Sequence, residues 1–239
     1  GRGVRVRRGV GGWGYARAWS DMSVGIIQKT AVPVGKRSGG NVTGVSTTQG
    51  DISCNKRGVV VAGHSGVLAD MAGFRLPIES VPLQALVSEP IKPCMDVVVM
   101  ANTVHGYMSQ SDKGEMVIGG GTDSHNAYTQ RGSFHHVEET VRALCETFPL
   151  ISRLKMLRQW GGIVDVTGDR SPILSKTPVE GMFINCGWGT GGFKAIPGSG
   201  WGMAELIAKG HSPLTDQFGL DRFREGRFID ESVAAGVAH

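Results

Sequence analysis

Cysteine is scarce and scattered. The four thiols, Cys54, Cys94, Cys145 and Cys186, form neither a CxxC pair nor a Cys/His ligand spacing. That excludes a zinc module and a disulfide scaffold and leaves reduced structural thiols, the expectation for a cytoplasmic protein. No apolar run approaches the roughly 18 residues a membrane span requires, so no membrane role is expected. Positive charge is not gathered either: the formal net charge is +4 over 239 residues, too weak a field to argue for nucleic acid. A hydrolase elbow is missing, because Gly63-His64-Ser65-Gly66 is followed by Val67 and lacks the G-x-S-x-G frame. No metal is expected, since the adjacent His135 and His136 read as the solvated start of a helix. Internal repeats are absent.

What the chain has is glycine, 37 residues of it without a collagen-like period, which predicts tight turns and close backbone approaches. With 40% hydrophobic and 19% charged residues it reads as an ordinary folded protein. The most telling stretch is Gly187-Trp-Gly-Thr-Gly-Gly-Phe-Lys194, after the apolar run Met182–Cys186. It continues through Ala195-Ile-Pro-Gly-Ser-Gly200 into a predicted helix from Trp201 to Ala208. A loop so poor in side chains lets something flat or anionic approach backbone amides closely. Its one charge, Lys194, can hold a carboxylate or face an electron-rich ring. Gly189, Gly191, Gly192, Phe193 and Lys194 are therefore read as the wall of a flavin site, with a ligand-free glycine turn as the competing reading. Gly187, Gly189 and Gly192 match G-x-G-x-x-G, but Pro197-Gly198 is expected to separate loop from helix and no strand follows Lys209. A first-strand dinucleotide motif is set aside on those grounds.

Along the chain, Tyr15–Val24 predicts the end of a helix and Gly25–Gln28 a short strand. Residues 31–36, 41–48 and 51–54 predict a β-meander. Arg57–Gly63 reads as a buried strand turning into a helix over 66–71, a feature of α/β domains. The helix start after Gly63 could offer amides to a phosphate, while capping by Ser65 accounts for the same residues. After Leu76-Pro77, strands are expected at 80–90, 96–101, 106–110, 116–119 and 157–166 in one antiparallel sheet. His105 and Tyr107 share a face of that sheet. A helix over 134–148 presents Val137, Val141, Leu144, Cys145 and Phe148 on one side. The fold class expected is α/β with an α+β insertion. Its domains are a first nucleotide-binding part (13–76), an insertion (77–177) and a returning nucleotide-binding part (178–239). Residues 1–12 carry Arg2, Arg5, Arg7 and Arg8 without an acid. They read as a chain beginning inside a longer protein, with a transit peptide as the alternative. Arg158-Gln-Trp-Gly-Gly-Ile-Val-Asp165, followed by Asp169-Arg-Ser-Pro-Ile173, combines a strand with an exposed-looking arginine and tryptophan and fits either core and salt-bridge duty or a face turned to a ligand.

Taken together, several separated stretches resemble the flavin-dependent amine and amino acid oxidases of the D-amino acid oxidase-like superfamily. Within it the likeness is to the family of β subunits of heterotetrameric sarcosine oxidases. The stretches are Trp13-Gly-Tyr-Ala-Arg-Ala18, Leu76-Pro-Ile-Glu-Ser80, Pro82–Pro90, Ser109–Gly114, Trp160-Gly-Gly-Ile-Val-Asp-Val166 and Asn185–Lys194. The resemblance implies an incomplete FAD-binding domain of the glutathione-reductase type beside an antiparallel substrate domain. It implies non-covalent FAD, hydride transfer from the N-methyl carbon of sarcosine to the flavin, and an imine hydrolysed to formaldehyde or passed to tetrahydrofolate in a partner subunit. Electrons would continue through FMN to dioxygen, giving hydrogen peroxide. By the same likeness Gly189, Gly192 and Lys194 align with FAD contacts and Val32 with a valine near the adenine. Gln159, between Arg158 and Trp160, falls near the FMN. Lys194 is the candidate anchor for the substrate carboxylate, a buried ammonium that would stabilise negative charge on the reduced ring.

Two departures stand out. The family's opening Gly-x-Gly-x-x-Gly strand–turn–helix is absent, so the chain resembles only the C-terminal part and is expected to be inactive alone. Arg8 stands where the family carries the histidine bonded to FMN, and arginine cannot form that bond. A misread start and a true loss of covalent FMN both explain it. Competing functions are a flavin dehydrogenase for dimethylglycine or another amino acid, and a non-catalytic module for subunit contact.

Overall fold

The structure, a computed structural model, describes residues 8–101, 106–123 and 125–229. Residues 1–7 and His105 therefore lie outside the described residues, as do the expectations attached to them. Helix α1 (Arg8–Asp21) begins well ahead of Tyr15 and runs through Gly9, Gly11, Gly12 and Gly14. Each glycine there costs about 1 kcal/mol relative to alanine. No neighbour lies within 4 Å of a Cβ built on Gly9, Gly12 or Gly14, so close packing does not explain these three. The strand expected at Gly25–Gln28 does not form. Left-handed backbone at Ser23 (φ 61) and Lys29 (φ 53) brackets it and breaks the extended run a ladder needs.

The meander is present as β1 (Val34–Ser38), β2 (Asn41–Thr47) and β3 (Gly50–Ser53), antiparallel in that order. It starts later than Ala31 because Pro33 has no N–H to give to a ladder. Its first hairpin turns on Gly39 and Gly40, at φ 58 and 85, the conformation only glycine adopts without cost.

β4 (Arg57–Val59) is shorter than the expected strand to Gly63. Ala62 at φ 47 starts a 3-10 turn, Ala62–His64, that leads into α2 (Ser65–Met71). β4 pairs in parallel with β11 (Met182–Cys186), and β10 (Ile173–Lys176) pairs antiparallel with β11 on its other side. Val59, Ile173, Met182, Ile184 and Cys186 bury the core here, together with Val42 from the meander.

A five-stranded antiparallel sheet is built from β5 (Ile78–Pro90), β6 (Val99–Ala101), β7 (Gly106–Gln110), β8 (Glu115–Thr122) and β9 (Met156–Thr167). Its order is β6-β7-β8-β5-β9, which leaves β9 on an edge. Helix α3 (Phe134–Thr147) lies on this sheet with Leu144 fully buried among Leu86, Met108, Met116 and Ile118. Val137, Val141, Cys145 and Phe148 flank it, the face the 3.6-residue period predicts. The approach is close enough that a Cβ on Gly106 would fall 2.7 Å from Leu144.

Helix α4 (Gly192–Lys209) corrects an expectation. It opens at Gly192, not Trp201, and carries Pro197 inside it. Proline deprives the helix of one hydrogen bond, but near the start it forfeits little of the ladder. Met203 and Leu206, packed on Phe183 of β11, hold the rest. Helix α5 (Asp221–Glu225) is the last regular element among the described residues.

Candidate functional site

The site forms where the antiparallel sheet meets the parallel pair. Three segments reach the outer edge of β9. Gly161 donates its N–H to Gln130 O at 2.9 Å, and Gly189 donates to Asp165 O at 2.8 Å. Between them, a Cβ on Gly63 would lie 3.0 Å from Ile163 O and 2.3 Å from its Cγ2. Close approach to β9 thus explains the buried glycine at 63, whose carbonyl also accepts the Ser80 hydroxyl at 2.6 Å.

Asp165 organises the glycine turn from below. It is 2% exposed, and its Oδ2 accepts the Gly187 N–H at 2.5 Å. Burial pushes the carboxyl above its ordinary value, while the backbone N–H groups of Gly187 and Trp188 pull the other way. Burial, and then the Asp165 charge, push the Cys186 thiol up to about 12, so Cys186 is structural and not a nucleophile. Gly187 (φ 76) and Gly189 (φ 50) carry the left-handed turns. Gly191 donates to Trp188 O at 2.9 Å, and the Trp188 indole N–H donates to Asn185 Oδ1 at 2.6 Å.

This changes which amides face outward. The N–H groups of Gly187, Gly189 and Gly191 are turned inward, so the ones available are those of α4's first turn: Gly192, Phe193 and Lys194. Gly191 caps that helix without a side-chain hydrogen bond, and no acid lies in the first turn. Such an end favours an anion or an electron-rich oxygen. Phe193 is 45% exposed and Lys194 is exposed, against the expected buried ammonium. Because α4 begins early, Lys194 belongs to its first turn and not to a loop folded over the core.

A cavity of about 200 Å³ adjoins the turn. Glu79 and Val81 of β5 and Val164 and Val166 of β9 share the sheet face beneath it, and Thr122, Asp123, Asn126, Arg170, Gly189 and Thr190 complete the lining. Asp123 is fixed by Gln84, which is 2% exposed and donates to Asp123 Oδ1 at 2.8 Å. Gln159 joins that network: its Nε2 donates to Gln84 Oε1 at 2.9 Å and to Ser133 O at 3.2 Å. Val32 lies apart, 43% exposed in the segment before β1. The structure therefore gathers Gly189, Gly191, Gly192, Phe193 and Lys194, sets Gly63 against the same edge strand, and leaves Val32 and Gln159 elsewhere. Sequence reasoning held Asp165 and Arg170 within a stretch that could face a ligand without giving either a place in the candidate site, and it did not single out Asp123. Arg170, at φ 57, is a non-glycine residue in a region that side chains avoid, and no pattern in the sequence announces it.

Beside β9's end lies a second buried carboxylate. Asp169 pairs with Arg222, Nε to Oδ2 at 2.7 Å, both side chains 2% exposed. Burial alone would raise Asp169, but the Arg222 guanidinium and the N–H groups of Ile229 and Ser171 hold it below its ordinary value. Among the described residues no cluster of three His, Cys, Asp or Glu could hold a metal ion, and no helix is long and apolar enough to cross a membrane.

Against known proteins, residues 12–206 match the family described as FAD dependent oxidoreductase. The chain is 73% identical over 238 residues to the sarcosine oxidase subunit beta of Rhodobacter capsulatus, covering 100% of this chain and 58% of that protein. To the subunit of the same description from an Arthrobacter species it is 51% identical, covering 95% of this chain and 56% of the relative. The chain thus spans just over half the length of these relatives. Among solved structures, L-proline dehydrogenase from P. horikoshii superposes with a TM-score of 0.80 at 24% identity, covering 89% of this chain and 59% of its own. That likeness speaks for the fold.

Proposed function

The chain belongs to the FAD dependent oxidoreductase family, and from that premise we propose that it is part of a β subunit that oxidises sarcosine with bound FAD. The observation that carries this reading is the passage from β11 through a glycine turn directly into α4. An uncapped first turn with one lysine ends that passage. The residues present fit a flavin ring there: nothing larger than glycine stands at 189, 191 and 192, and the N–H groups of Gly192, Phe193 and Lys194 suit its electron-rich oxygens. Bound FAD would supply the hydride acceptor.

The chain's own residues orient and bind. Lys194 holds the substrate carboxylate and favours negative charge beside the ring. The cavity against β5 and β9 receives the rest of a small amino acid, with Val81 and Val164 excluding water from the apolar carbon. Gly63 and Val32 serve the adenine and phosphate side. In this reading residues 13–76 together with the C-terminal part bind FAD, and the antiparallel sheet is the substrate domain. The boundary stays at 178 in this reading, and the pairing of β10 with β11 supports drawing it earlier, in the turn over 168–172. The partners are the other subunits of a cytoplasmic heterotetramer, one of which carries tetrahydrofolate. FMN would lie near the exposed Arg158, whose guanidinium stands 5.7 Å from the Trp160 ring centre, and near Gln159. Covalent attachment of FMN does not fit Arg8, since arginine cannot form the bond a histidine makes.

The test is the full-length protein purified with its partner subunits. A yellow preparation bleached by sarcosine without air and restored by air supports the reading. Bleaching that air does not reverse would make it a dehydrogenase, and a colourless, flavin-free complex would end the proposal.

A further inference from the structure

We propose that Asp165 is the positioning residue of the flavin site, a clamp that holds the glycine turn to the edge of β9 and so decides which amides face the cofactor. Asp165 touches the turn from two directions: its carboxylate takes the Gly187 N–H at 2.5 Å and its carbonyl takes the Gly189 N–H at 2.8 Å. One residue of the antiparallel sheet therefore fixes two of the turn's amides. The turn starts on the sheet face opposite the cavity, crosses the outer edge of β9, and emerges with Gly189 and Thr190 in the cavity wall. α4 begins at once beyond it, so the place where the turn crosses the edge sets where its first-turn amides stand.

Among the described residues no cation is paired with Asp165. Its partners are backbone N–H groups, and the buried Cys186 thiol is its titratable neighbour. A buried carboxylate without a cation is a poor stabilising device. Its place at the seam of two sheets is accounted for by what it holds there. An amide that loses its acceptor in such a place seeks another, and a turn built on glycine has many conformations in which to find one.

The inference rests on the flavin reading for what lies above the turn, and not for the clamp itself. The experiment uses the full-length enzyme with its partner subunits, as wild type, Asp165→Ala and Asp165→Asn. Amide hydrogen exchange and FAD dissociation are measured on each. Asp165→Ala is expected to speed exchange at residues 187–189 by about tenfold or more, with β10 little changed. FAD should dissociate faster by about the same factor. Asp165→Asn, whose amide oxygen can still accept from Gly187, should recover most of both. Faster exchange across β10, β11 and α4 alike, or no change at 187–189, overturns the proposal, as does failure of the asparagine variant to rescue the turn. Faster exchange at 187–189 with unchanged FAD dissociation keeps the clamp and removes the flavin from this turn.

Discussion

Asp165 and Asp169 stand four residues apart, one on β9 and one just past it. Both are shut away from water, and their carboxyls are pushed in opposite directions. Asp169 meets a guanidinium, which donates to it through two nitrogens, Nε to Oδ2 at 2.7 Å and Nη2 to Oδ1 at 3.0 Å. Asp165 meets only backbone N–H groups of a glycine turn. The first arrangement closes the C-terminal segment onto the sheet, since Arg222 also donates to Ser171 O at 2.8 Å and Ile229 N–H reaches Asp169. The second gains little stability and fixes a turn that a ligand would meet. A buried charge with a counter-charge serves the fold, and one supported by amides alone serves a shape.

Removing the counter-charge should do the greatest damage. Arg222→Met leaves Asp169 buried and unpaired and is expected to cost about 3–5 kcal/mol, read by urea unfolding of the full-length protein; a loss below about 1 kcal/mol would show that the pair does not carry the C-terminal segment. Gly187→Ala comes next. It forces a side chain into a left-handed conformation at φ 76, with its Cβ 2.7 Å from Thr167 Cγ2, and should cost about 2–4 kcal/mol and lower the flavin content. Full flavin content at unchanged stability would mean that the turn adapts and Asp165 has little to hold.

A finer contrast lies in pH. Asp169 is held low, so its contribution is present above the ordinary carboxylate value and fades as pH falls through its folded value. Asp165 is pushed high, so stability is lost as pH rises from the ordinary value through its folded one. Asp165→Asn should therefore lessen the loss on the rising side, and Asp169→Asn should lessen the loss on the acid side, in unfolding midpoints compared between pH about 3 and 7. Slopes that change with the same sign in both variants would erase the distinction. The smallest effect is the control: Gly200→Ala, with nothing within 4 Å of its Cβ, should stabilise α4 by about 0.5–1 kcal/mol and leave flavin content alone.

Patterns that repeat along the chain were legible. The face of α3, the glycine-turned hairpin between β1 and β2, and the apolar run of β11 follow from side-chain period and turn chemistry. The glycine turn itself was recognisable as a candidate site. Its anatomy was not, because Pro197 signals a helix boundary locally while Met203 and Leu206 packing on Phe183 sustains the helix across it. Asp165 was visible as the end of a strand that could face a ligand, but alternation with Val164 and Val166 assigns it a face without saying that a loop arrives there. Gly25–Gln28 carries β-forming side chains, yet the backbone at Ser23 and Lys29 decides against a strand.

The position of β9 has a further outcome for how the molecule behaves in a crowded solution. An outermost strand ordinarily displays a row of unpaired donors and acceptors that can recruit a strand from a neighbouring molecule. Here Gln130, Gly63 and Gly189 cover Gly161, Ile163 and Asp165 in turn, so the same contacts that shape the pocket also deny stray chains a template for aggregation.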